Sequence, residues 1–166
     1  MNHAVDLVRL YDNLEQAGVD VFTMPLNTYD ALASASCSCI AINPARVNTE
    51  AHEREILIHE EGHFATDTFY ELDSPYTVRE HQENVACRYG FKKYFPLDML
   101  LDLMEEDCTE PWDLAEQLGV SEKFMREILT YYTQVRGIDF DAELKRRQKE
   151  RDNVSDAADF PVADCG

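Results

Sequence analysis

Residues 56–67 read ILIHEEGHFATD, with His59 and His63 four apart and Glu60 directly after the first histidine. On a helix, positions i and i+4 project from one face a single turn apart, so both imidazoles can reach one ion. A Zn²⁺ site of this kind takes a third protein ligand and keeps one position open for water. The ion lowers the pKa of such a water from roughly 15.7 toward about 7, where an adjacent carboxylate, here Glu60, can take its proton. Lewis acid, water and base are the parts that hydrolysis of a peptide bond needs. HExxH also arises on ordinary solvated helices. Two features argue against that here: the apolar run ILI precedes the motif, indicating a largely buried helix, and an exposed helix would avoid Gly62, which leaves one face open to close approach.

The third ligand must come from downstream, where Asp67, Glu71, Asp73, Glu80, His81 and Glu83 all offer suitable atoms. A histidine six residues after His63 would mark one branch of such sites, but that position is Phe69. A carboxylate from a second helix is the alternative, and EHQENVACRYGFKKYFP supplies Glu80, His81 and Glu83. His81 and Glu83, two apart, fall on different faces of a helix, so one ion cannot easily take both. Asp67 lies one turn past His63 and can orient its imidazole from behind, although a solvated acid is the simpler role. Tyr70, Tyr76 and Tyr89 are candidate hydroxyl donors to a transition state, with aromatic packing as their default role.

Several elements must position these groups. Residues 3–17 place Val5, Leu7, Val8, Leu10, Tyr11 and Leu14 on one helical face, stopped by Gly18. Residues 19–26 read as a strand ended by Pro25, and residues 32–43 as one or two more strands closed by Asn43 and Pro44. Asn48 or Thr49 can cap the HExxH helix, with Glu50 and Glu53 in its first turn. After a Ser-Pro linker a helix is expected over about 78–94. Pro96 opens another, with Leu97, Leu100, Leu101 and Met104 inward. Residues 109–137 read as two short helices joined by Gly119, Val120 and Ser121. The charged segment that follows is expected to be a frayed helix and a disordered tail.

The chain has 166 residues, 45% of them hydrophobic, enough for one compact domain. No run of eighteen apolar residues is present and the N-terminus is charged, so neither membrane insertion nor export is expected and the protein reads as cytoplasmic. Five scattered cysteines fit reduced thiols, and Cys37 and Cys39 read as two small side chains on one face of a strand rather than as metal ligands. The formal net charge of −18 repels nucleic acid and attracts a basic protein. The segment LAEQLGVSEKFMREIL has the cadence of a helix-turn-helix, but Glu122 and Glu127 cancel Lys123 and Arg126. A neutral recognition helix on so acidic a protein is a poor DNA reader, so a structural or partner-binding role is expected and direct nucleic-acid binding is not.

Taken together, His59, Glu60 and His63, then Glu83 through Gly90 (ENVACRYG), then Phe95 and Pro96, resemble the ImmA/IrrE metallopeptidases, most closely the short forms of phages and mobile elements. That family carries HExxH on one helix and ExxA(N/R)xxA on the next, and the likeness runs over roughly residues 3–137. It implies an α+β fold: a mostly helical zincin-like domain over 1–107 with a small N-terminal sheet, then a helix-turn-helix-like unit over 108–140 and a tail over 141–166. It implies that Glu83 is the third metal ligand beside His59 and His63, with Glu60 as base, and Zn²⁺ as the ion. Mn²⁺ also suits two imidazoles and a carboxylate. The implied substrate is a basic helix-turn-helix repressor, cleaved or, alternatively, sequestered without cleavage by an antirepressor. Two positions depart from the pattern: Glu61 replaces an apolar residue and Cys87 stands where Asn or Arg is common.

Overall fold

A computed structural model describes residues 3–71 and 73–158, and the molecule is α+β. Helix α1 (Leu7–Gln16) leads into strands β1 (Asp20–Thr23), β2 (Ala31–Ser34) and β3 (Cys39–Ile42). Helices α2 (Glu50–Thr66), α3 (Tyr76–Tyr94), α4 (Leu97–Glu105), α5 (Pro111–Leu118) and α6 (Glu122–Thr130) follow. A π-helical turn over Tyr131–Val135 then leads to α7 (Phe140–Ala158). Among the described residues, no helix is long and apolar enough to cross a membrane.

The sheet is small because only β3 is apolar enough to sit inside. Its Ile40, Ala41 and Ile42 are buried, with β1 parallel on one side and β2 antiparallel on the other. Asn43 closes the sheet: its amide donates to the carbonyls of Leu26 and Tyr29 and its carbonyl accepts from the Ala45 N–H. Leu10 and Leu14 of α1 lie on the buried face, and Gly18, at φ +75°, takes the left-handed stop that the sequence assigns to it. Full burial of each such leucine contributes about 1.5–3 kcal/mol.

α2 and α3 form the centre of the molecule and approach each other through two glycines. A Cβ on Gly62 would sit 2.8 Å from the carbonyl carbon of Ala86, and one on Gly90 would sit 2.6 Å from the Ile58 side chain. The open face of Gly62 is therefore filled by α3.

The turn between α5 and α6 is docked on α2. Arg54, 7% exposed, donates to the carbonyls of Val5 and Gly119, and the Ser121 N–H donates to Glu55 at 2.5 Å. Gly119 adopts φ +67° against Arg54, so a side chain there would meet both backbone strain and the guanidinium.

One expectation needs correction. Cys37 and Cys39 are joined as a disulfide and are not reduced thiols on one strand: Cys37 lies in the turn between β2 and β3, where Ser38 at φ +48° brings the two side chains together. The helix expected at the start of the charged segment runs as far as Ala158, where its basic cluster meets an acidic edge. Arg147 pairs with Asp98 and Asp102 of α4 at 2.6 Å, and Arg151 with Glu105 at 2.6 Å. The tail expectation for residues 159–166 lies outside the described residues.

Candidate metal centre

The Thr49 hydroxyl caps α2 by accepting from the His52 N–H, and seventeen helical residues follow, which put His59 and His63 on one face. The Nε2 atoms of the two rings face each other at 3.1 Å. α3 crosses that face and brings Glu83 to both, 3.0 Å from His59 Nε2 and 3.4 Å from His63 Nε2. One ligand atom from each of the three residues lies within 4.8 Å of the others.

The outward edges of the rings determine what the inward edges offer. His63 Nδ1 lies 2.8 Å from the Thr68 carbonyl, and a carbonyl can only accept, so Nδ1 carries the proton and Nε2 presents a lone pair to the cluster. His59 Nδ1 lies 3.4 Å from Cys87 Sγ, a soft acceptor in the same second position. Once the His59 proton is displaced, two imidazole lone pairs and a carboxylate converge on one point, an arrangement that a cation between them stabilises. Two nitrogens and one oxygen are also the donor set of catalytic zinc sites. The residues therefore fit a divalent ion.

Without an ion, a proton on His59 holds the cluster together. Burial disfavours charge on His59, but hydrogen bonds with Cys87 and Glu83 and the charge of Glu60 outweigh it and push its pKa up to about 10. The hydrogen bond from His59, with the His63 ring close by, holds the Glu83 carboxyl far below the usual carboxylate range, against the opposing effect of burial. Glu60 is moved the other way. Burial raises its pKa, the two histidines pull it back down, and the charge of Glu83 adds to the rise. A carboxyl with raised affinity for a proton thus lies within electrostatic reach of His59, His63 and Glu83.

Of the other downstream candidates, Asp67 is an exposed residue at φ +52° that ends α2, its N–H donating to the His63 carbonyl; Thr68, not Asp67, orients the His63 ring. His81 and Glu80 are exposed on α3 and are not part of the cluster. Tyr70 is the tyrosine at the cluster, its hydroxyl donating to Glu83 at 2.5 Å; burial, and then this bond, push its pKa up to about 12. Tyr76 is 67% exposed at the start of α3, and Tyr89 lies beside Lys93.

Glu61 turns away from the cluster. It is 6% exposed and accepts from Lys93 and from the Tyr94 hydroxyl, each at 2.5 Å, while Asn13 of α1 donates to the Tyr94 oxygen at 3.0 Å. An acid at this position is thus satisfied by a polar network joining α1, α2 and α3. Sequence reasoning missed Thr68 and Cys87 as ring partners. The spacing of Cys87 from Glu83, one turn along α3, is the only signal that could have suggested it.

No family model matches the chain, and neither a curated protein nor a solved structure matches it.

Proposed function

We propose that the protein is a metal-dependent endopeptidase in which His59, His63 and Glu83 hold a divalent ion, Zn²⁺ by preference, and Glu60 is the general base. The observation that carries this reading is the convergence of the two Nε2 atoms and the Glu83 carboxylate beside a half-buried acid with raised proton affinity. When bound, the ion supplies Lewis acidity toward a peptide carbonyl and toward water. Glu60 takes a proton from the attacking water and returns it to the leaving amine. Tyr70, whose hydroxyl reaches Glu83, is placed to donate toward the oxyanion as charge develops on the carbonyl oxygen. Thr68 and Cys87 hold the two imidazoles in the orientation that ligation requires.

As substrate we propose a basic helix-turn-helix repressor, following the ImmA/IrrE resemblance of the quoted motifs and supported by the net charge of −18. The α5–α6 pair is assigned to structure and not to DNA contact. Its turn is engaged by Arg54 and Glu55, and on its outer face Arg126 pairs with Glu122 and Lys123 with Glu127.

The test is incubation of the zinc-loaded protein with such a repressor, followed by mass spectrometry of the products. Discrete cleavage that is abolished by chelator and by Glu60→Gln is expected. Inactivation of the repressor by Glu60→Gln at the wild-type rate, with no new peptide, would replace hydrolysis with sequestration.

A further inference from the structure

A cavity of about 410 Å³ lies between residues 33–36, at the end of β2 and its turn, and residues 69–71 beyond α2. It adjoins the metal centre through its own wall: the Phe69 ring lies 6.0 Å from that of His63, and Tyr70 reaches Glu83. One side is built from Ala33, Ser34 and their two small neighbours, which leave width for an incoming side chain. The other side is aromatic and ends in Glu71.

The Glu71 side chain is exposed, and among the described residues no Lys or Arg pairs with it or lines the cavity. Ser34, Ser36 and Tyr70 contribute hydroxyls, and beyond the aromatic wall the negative charges of Glu60 and Glu83 are set against the positive charge of Arg79, so Glu71 is the one charged residue of the lining itself. A carboxylate beside aromatic faces suits a planar guanidinium, which can stack and donate two parallel N–H bonds to it, better than an ammonium.

We infer that this groove takes an arginine of the protein substrate, held by Glu71, close to the bond presented to the metal centre. The inference rests on the peptidase reading for what happens to the bound segment, but not for the binding itself. Glu71 is the specificity-determining residue. It discriminates by charge near the surface, so the preference is moderate and salt-sensitive.

The probes are fluorescein-labelled, alanine-rich octapeptides that differ only in a central Arg, Lys, Leu or Glu. Binding is read by anisotropy on the full-length, zinc-loaded Glu60→Gln protein, and hydrolysis of the same peptides on the wild type. Arg is expected to bind about tenfold tighter than Leu or Glu, with Lys between, a span of about 1.4 kcal/mol. In the Glu60→Gln background, Glu71→Gln should erase the order and Glu71→Arg should invert it, whereas Glu116→Arg, an equal charge change on an exposed face of α5, should leave it intact.

Equal binding of all four peptides, no binding of any, or equal loss in the Glu71→Arg and Glu116→Arg proteins overturns the inference. An Arg preference that depends on Glu71, without hydrolysis by the wild type, sustains the groove and counts against the peptidase reading. Hydrolysis without an Arg preference does the reverse.

Discussion

Gly62 packs against the backbone of Ala86, and this contact sets the distance between the helix that carries the histidines and the helix that carries Glu83. Ala86 is one turn beyond Glu83 and fully buried, so any displacement of α3 at Ala86 is transmitted to the ligand. In an exposed helix, Gly→Ala stabilises by about 1 kcal/mol. Here the added methyl would overlap a carbonyl group, which cannot rotate away. Gly62→Ala is therefore expected to destabilise by about 1–3 kcal/mol in urea denaturation. It should also weaken Co²⁺ binding followed by visible absorption. A stabilised Gly62→Ala protein with unchanged Co²⁺ affinity would refute the contact.

Cys87 supplies the outer partner of His59, where metal sites commonly use a carbonyl or carboxylate. Removing it leaves the ring free to turn without opening a large cavity, because the residue is only half buried. Cys87→Ala is expected to lower metal affinity by about 10–100-fold while leaving the unfolding midpoint nearly unchanged. Isothermal titration with Zn²⁺ beside a denaturation curve separates the two effects. Equal losses in both would make Cys87 a packing residue.

The proton affinities of the cluster lead to a pH dependence with a definite sign. The pKa of His59 is raised to about 10, so its pairing with Glu83 stabilises the metal-free protein fully below about pH 6.5, and this is lost as pH rises through about 10. Glu83 is depressed, so its share is present above about pH 4.5 and lost as pH falls through its folded value. These describe one ion pair from its two ends and do not add. A metal ion must displace the His59 proton, so apparent Zn²⁺ affinity should rise about tenfold per pH unit between pH 6.5 and 8.5. A competition titration with a chromophoric chelator measures the slope, and a flat profile would show that His59 is not protonated in the metal-free protein.

Local sequence carried the parts of this architecture that depend on near neighbours. The spacing of His59 and His63, the Thr49 cap, the apolar face of α1 and the stops at Gly18 and Gly119 all follow from helix periodicity and backbone sterics. The groups that were not legible depend on partners far along the chain. Helix geometry alone could not choose Glu83 over Glu80, because the choice is made by how α3 crosses α2 at Gly62 and Gly90. The partners of Glu61, Lys93 and Tyr94, lie more than thirty residues downstream, and the Thr68 carbonyl carries no side-chain signature at all. The disulfide between Cys37 and Cys39 required the turn between β2 and β3 to fold the two side chains together.

The same reasoning explains why α7 read as a frayed helix and predicts how it behaves. Its sequence has little apolar surface to bury, and its pairings reach α4 some forty-five residues earlier, through Arg147 with Asp98 and Asp102 and Arg151 with Glu105. Asp98 is 87% exposed and Asp102 67%, so each pair contributes at most about 1 kcal/mol and is screened by salt. Arg147 itself is 17% exposed and meets three acids, which makes it the centre of the attachment. Arg147→Glu should therefore speed amide exchange across residues 140–151 while changing global stability by less than about 1 kcal/mol. Raising salt to about 1 M should reproduce that pattern in the wild type, since the Debye length falls to about 3 Å. Were exchange in α7 insensitive to both changes, the helix would be held by the apolar contacts of Phe140, and the ion pairs would be incidental.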